Sequence, residues 1–63
     1  MKDFKTRLIA EKDALGIKLE ALEGFLYSPP FDAIDEIQQD LLVIQQYSML
    51  TYLHCLDMRL KRL

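Results

Sequence analysis

The sequence predicts an all-α chain, an antiparallel helical hairpin with a first helix over about residues 3–27, a corner over 28–34 and a second helix over about 35–61. Three observations predict it. Apolar residues recur at intervals of three and four through both arms, which is the mark of a helix face. Alternation of the kind a half-buried strand needs is nowhere sustained. One strong break, Ser28-Pro29-Pro30, interrupts the pattern, and each proline turns the residue before it away from helical geometry. No internal repeat, low-complexity tract or second domain is visible, so residues 1–63 read as a single domain.

In the first arm a narrow apolar stripe runs through Phe4, Leu8, Leu15, Leu19, Leu22 and Leu26. Gly16 lies inside this helix and costs about 1 kcal/mol relative to alanine, a cost that a close helix approach would offset. Gly24 can loosen the last turn. After the prolines, Phe31-Asp32-Ala33-Ile34 suits a short turn. Asp35 then offers an acidic N-cap with Gln38 three residues on, the capping-box spacing. Arg59, Lys61 and Arg62 close the second helix and suit the negative end of its dipole.

That second helix is apolar on almost every side. One face carries Leu42, Met49, Leu53, Leu56, Leu60 and Leu63, extended by Leu41 and Tyr52. Ile37, Ile44 and Cys55 lie further round, and Val43, Tyr47, Leu50 and Met58 point elsewhere again. A helix apolar all round is normally buried all round, and one partner arm covers a single stripe. Chains of this size bury only about 60% of their unfolded surface and are marginal as monomers. The expectation is a homo-oligomer whose function sits where subunits meet.

Composition removes several alternatives. A single cysteine, Cys55, excludes a disulfide framework, and no zinc-like Cys/His spacing occurs. His54 and Cys55 are neighbours and diverge on a helix, so they make no local ligand pair. Cys55 reads as a reduced packing residue and His54 as a partly exposed one, and the absence of paired cysteines fits a cytoplasmic protein. The segment Met1-Lys2-Asp3-Phe4-Lys5 lacks the apolar core of a signal peptide. No uninterrupted apolar run approaches the roughly 20 residues that span a bilayer. The net charge of −2 gives no dominant basic field for polymeric nucleic acid, although local cations can still hold a small anion.

Beside the first arm's stripe lies a second row: Arg7, Glu11, Ala14, Lys18, Ala21 and Phe25. Arg7 and Glu11 can pair at i and i+4. Lys18 has Ala14 and Leu22 at its four-residue neighbours and no acid there to neutralise it. Two readings stay open. In one, Arg7 and Lys18 lay their aliphatic stems on the seam and keep their charges in water. In the other, they face a cavity between subunits and hold an anionic ligand, with Phe4, Tyr27, Tyr47 or Tyr52 offering a flat surface. On the second arm Ser48, Cys55, Arg59 and Arg62 share a similar flank, where Arg59 could pair with an acid or bind phosphate. Catalysis has little support: there is no glycine-rich phosphate loop, no paired carboxylate at a recognisable site and no nucleophile with an obvious base. The expectation is a binding protein without metal or cofactor, not an enzyme.

The ordered set Arg7-x3-Glu11-x3-Leu15-x2-Lys18-x3-Leu22-x2-Phe25, then Phe31 and Leu41-Leu42-x2-Gln45-x3-Met49-x2-Tyr52-x3-Leu56-x2-Arg59, resembles a family of small phage proteins. This family of small crAss-phage-related proteins includes the anti-CBASS cyclic-nucleotide sponges, and the resemblance spans nearly the whole chain. It implies a compact homohexamer of hairpins that sequesters cyclic dinucleotides in the host cytoplasm, and in some members cyclic trinucleotides at separate sites. Sequestration would starve a bacterial immune effector of its signal without cleaving it. The family's dinucleotide pockets use an N-terminal aromatic and a first-helix lysine at a subunit interface, which match Phe4 and Lys18, with Arg7 beside them. The arginine associated with the trinucleotide site matches Arg59. The alternative is a small phage structural or protein-interaction module that docks on a host or phage protein through the apolar second helix.

Overall fold

Both arms fold as their apolar spacing directs. The computed structural model describes residues 2–63, which form helices α1 (Lys2–Leu26), α2 (Pro29–Asp32) and α3 (Glu36–Lys61), with no strand among the described residues. The long helices pack antiparallel as a hairpin, and α2 occupies the corner.

The corner is more ordered than a bare turn. Helix α1 stops at Leu26, one residue short of the expected Tyr27, because the Ser28 backbone N–H and its hydroxyl both donate to the Phe25 carbonyl, at 3.0 and 2.6 Å. Pro29 and Pro30 then open the one-turn helix α2, where their missing N–H groups would have had no intrahelical acceptor. Phe31 sets its ring edge against Phe25, with centroids 6.0 Å apart and planes at 85°. From α3, Gln39 donates to the Phe31 carbonyl at 2.9 Å. The corner is thereby tied to both arms. Asp35 caps α3 as its position predicts: its carboxylate accepts from the backbone N–H groups of Ile37 at 3.1 Å and Gln38 at 3.4 Å.

Leu8, Leu15 and Leu56 form the core, with Met49, Leu53 and Leu60 packed against them. Leu56 is only 1% exposed, and Leu19 is also buried. Polar pairs flank this seam in one antiparallel register. Lys12 donates to Asp57 at 2.9 Å, and Gln46 donates to Glu23 at 3.3 Å further along. Lys61 reaches the other Asp57 oxygen at 3.1 Å. The two lysines, Lys12 foremost, hold the Asp57 carboxyl below its ordinary value by hydrogen bonding to its ionised form.

The expected close approach at Gly16 is not made by the hairpin's own arms. A Cβ built at Gly16 or Gly24 meets nothing within 4 Å. The backbone there faces open space, so within one hairpin the glycine serves no packing need.

The hydrophobic surplus of α3 stays on the outside. A compact monomer of this mass would expose about 4,200 Å², whereas this chain exposes 5039 Å². Its Cα radius of gyration is 14.5 Å, against about 10.6 Å for a compact domain of the same length. The molecule is a thin rod of 46 × 15 × 13 Å with two helices at its waist and no room for a second layer of core. Leu41, Ile44, Tyr47 and Tyr52 are exposed, as is Ile37 at 68%. No helix among the described residues is long and apolar enough to cross a membrane.

Candidate anion and ring site at the open end

The open end of the hairpin gathers three of the four residues singled out by sequence. Phe4 sits in the first turn of α1, 45% exposed. The Arg59 guanidinium, from the last turns of α3, lies 5.9 Å from the centre of its ring, within the range of a cation–π contact. Arg7, one turn on from Phe4, completes the group. It does not turn to Glu11; its Nε donates to the Asp3 carbonyl at 3.3 Å, which holds the guanidinium toward the N-terminus of α1.

Two clefts share Phe4, Leu8 and Arg59. One of about 380 Å³ is lined by Phe4, Leu8, Met58, Arg59, Arg62 and Leu63. A second of about 290 Å³ lies on the other side of Phe4 and Arg59, with Arg7, Leu8 and Glu11. The first falls at the small end of ligand pockets, roughly 300–1,000 Å³, and the second just below it, and both clefts open broadly to solvent. One chain can therefore grip an edge of a nucleotide-sized molecule but not enclose it. The chemistry offered is a flat apolar ring, guanidinium groups suited to phosphate, and apolar floors from Leu8 and Met58.

Lys18 stands apart. It is exposed on α1, fourteen positions beyond Phe4, which is about 21 Å along the helix axis. It makes no ion pair among the described residues. A single hairpin thus brings together Phe4, Arg7 and Arg59 but leaves Lys18 at the middle of the rod. The arginine expected at a separate site, Arg59, stacks on the aromatic expected at the first.

Arg62 and Met58 enter the open-end cleft without having been singled out as partners of Phe4. For Arg62 the signal is the distribution of charge. All eight lysines and arginines fall within positions 2–18 and 59–62, and no cation occurs from residue 19 to 58. The same two stretches, with Asp57, hold four acids, Asp3, Glu11, Asp13 and Asp57, so this half carries a formal +4. The remaining six acids, Glu20, Glu23, Asp32, Asp35, Glu36 and Asp40, lie toward the corner and give it −6. Those two halves reproduce the net −2, and they place a cationic field at the open end of an acidic protein. Cys55 and His54 are exposed rather than packed in the single hairpin. Among the described residues no group of three His, Cys, Asp or Glu side chains is placed to hold a metal ion.

The chain matches the Sequestin family model over residues 2–62. The chain belongs to the Sequestin family. It is also similar to an uncharacterized 7.5 kDa protein from the denB-rIIB intergenic region of Enterobacteria phage T4. The two are 37% identical over 60 residues, covering 95% of this chain and 94% of the phage protein. The Sequestin match therefore embraces both arms and the corner, and not one helix alone. No solved structure matches the chain.

Proposed function

We propose that this Sequestin-family protein binds cyclic oligonucleotide second messengers, cyclic dinucleotides foremost, and sequesters them without cleavage in the cytoplasm of a phage-infected host, so that a CBASS effector is left without its activator. The observation that carries the reading is the division of its ring-and-cation set along α1. Phe4 and Arg7 lie at one end and Lys18 about 21 Å away, too far apart to hold one small ligand within a single chain. An antiparallel crossing of two α1 helices, centred near Glu11, brings Phe4 and Arg7 of one copy beside Lys18 of the other. The twofold axis makes the arrangement twice, so each pair of copies carries two equal sites. Each site then combines a ring for base stacking, worth about 1–3 kcal/mol per base, with a lysine and an arginine for the phosphates. Ala14 next to the crossing leaves room for the second backbone. Arg59, already over Phe4, supplies a further cation at the rim and the arginine of a trinucleotide site.

The family name, the phage relative, the cationic open end and the unfinished pocket of the single chain all favour a sponge built by self-assembly into a homo-oligomer, the hexamer that the resemblance implies. No turnover is needed for this role. Calorimetry with a cyclic dinucleotide tests it: wild-type protein binds, and Lys18→Ala binds at least tenfold more weakly while retaining its mass by light scattering. Equal affinities for the two proteins would remove Lys18 from the site.

A further inference from the structure

Along one flank of α3, beside the face that packs on α1, seven residues follow one another at intervals of four, three, four, four, three and four, from Ile37, Leu41, Ile44, Ser48, Tyr52 and Cys55 to Arg59, whose guanidinium lies over Phe4 of α1. All seven are exposed, Ile37 and Ile44 by more than half. The spacing is a palindrome about Ser48. Such a stripe is self-complementary under a twofold axis through that serine: Ile44 meets Tyr52, Leu41 meets Cys55, and Ile37 meets the Arg59 stem of a second copy.

We infer that α3 packs antiparallel on α3 of a second copy of this chain, in a seam centred on Ser48. The inference rests on the self-assembly in the reading above and is independent of the ligand. Charge selects the direction. Asp35, Glu36 and Asp40 stand at the start of α3, Arg59, Lys61 and Arg62 at its end, and between Asp40 and Asp57 the helix carries no Asp, Glu, Lys or Arg. Antiparallel packing sets each acidic end against a basic end and opposes the helix dipoles, whereas parallel packing sets like against like at both ends. At the centre, Ser48 is small and its hydroxyl already donates to the Ile44 carbonyl at 3.1 Å, so no polar group is orphaned when two helices meet there. The size also fits. A specific interface buries about 800 Å² per partner, and this chain exposes 5039 Å² where a compact monomer of its mass would expose about 4,200 Å². The seam and the α1 crossing use different dyads on different helices. Two distinct dyads per chain generate a closed dihedral assembly with an even number of copies when the axes intersect at the closing angle.

Cysteine cross-linking in a Cys55→Ser background tests the seam, because Cys55 is exposed and its removal leaves the core untouched. Under mild oxidation with diamide, Ser48→Cys is expected to convert most of the chain to a disulfide-linked dimer. Ile37→Cys alone is expected to stay monomeric on a denaturing gel, and an equal mixture of Ile44→Cys and Tyr52→Cys chains to form the mixed dimer. Self-linking of Ile37→Cys overturns the antiparallel direction. Failure of Ser48→Cys to link, with helicity intact by circular dichroism, overturns the seam whether light scattering reports an oligomer or a monomer. None of these outcomes involves a nucleotide, so loss of cyclic-dinucleotide binding with the linking pattern preserved would count against the ligand alone.

Discussion

At the scale of single residues, Asp57 shows how the hairpin's two arms are locked in register. It accepts from Lys12 across the seam and from Lys61 on its own helix, and both lower its pKa. A carboxyl held below its unfolded value stabilises the fold above that value and loses the contribution as pH falls through the folded one. Urea midpoints should accordingly hold between pH 7 and 5 and drop below the ordinary aspartate pKa of about 3.9. Asp57→Asn should flatten that acid limb, and an unchanged limb would mean that other carboxylates control it. The strongest single packing contribution is Leu56, the most deeply buried side chain. Leu56→Ala should cost about 2–5 kcal/mol, enough to unfold a chain whose other buried apolar residues, among those described, are Leu8, Leu15 and Leu19. Thermal denaturation followed at 222 nm measures both effects.

At the scale of single elements, caps and glycines matter more than core volume. The Asp35 carboxylate satisfies two of the N–H groups that open α3. Asp35→Ala should lower stability by about 1 kcal/mol and fray the first turn, which hydrogen exchange at Ile37 and Gln38 would report. Gly16 gives a sharper test because its Cβ position is empty in the single hairpin. In an isolated hairpin Gly16→Ala gains about 1 kcal/mol of helix propensity and meets no clash. If another subunit's backbone lies against Gly16, the same methyl group weakens assembly. Sedimentation velocity on the variant separates the outcomes: a stabilised chain with unchanged mass places Gly16 outside every interface, and a loss of mass places it within one.

For the whole molecule, the decisive quantities are surface and charge distribution. A rod 46 Å long and 15 × 13 Å across cannot bury both flanks of α3 by itself. Native mass spectrometry in a mixture of cyclic di- and trinucleotides should report several copies per particle with ligand bound and chemically unchanged. Ligand at a hundred times its Kd should add about 2.7 kcal/mol of apparent stability, seen as a higher Tm. A ligand pool that shrinks with time would point to hydrolysis and against sequestration.

The helices, the proline corner, the Asp35 cap and the leucine seam were all legible in the residue order, because each depends on spacing within one or two turns. So was the hydrophobic surplus of α3, since periodicity alone shows how many sides of a helix are apolar. Residue order also held the separation of cations from acids that makes the open end basic. What only the tertiary structure decided is which distant residues share a place. Antiparallel packing carries Arg59 over Phe4 and leaves Lys18 alone at mid-rod, and it shows that the hairpin itself does not fill the space at Gly16. Spacing along a helix sets the face a side chain occupies. The register between helices sets its neighbours across the seam, and that register comes from packing Leu8, Leu15 and Leu56 into one core while Lys12 meets Asp57.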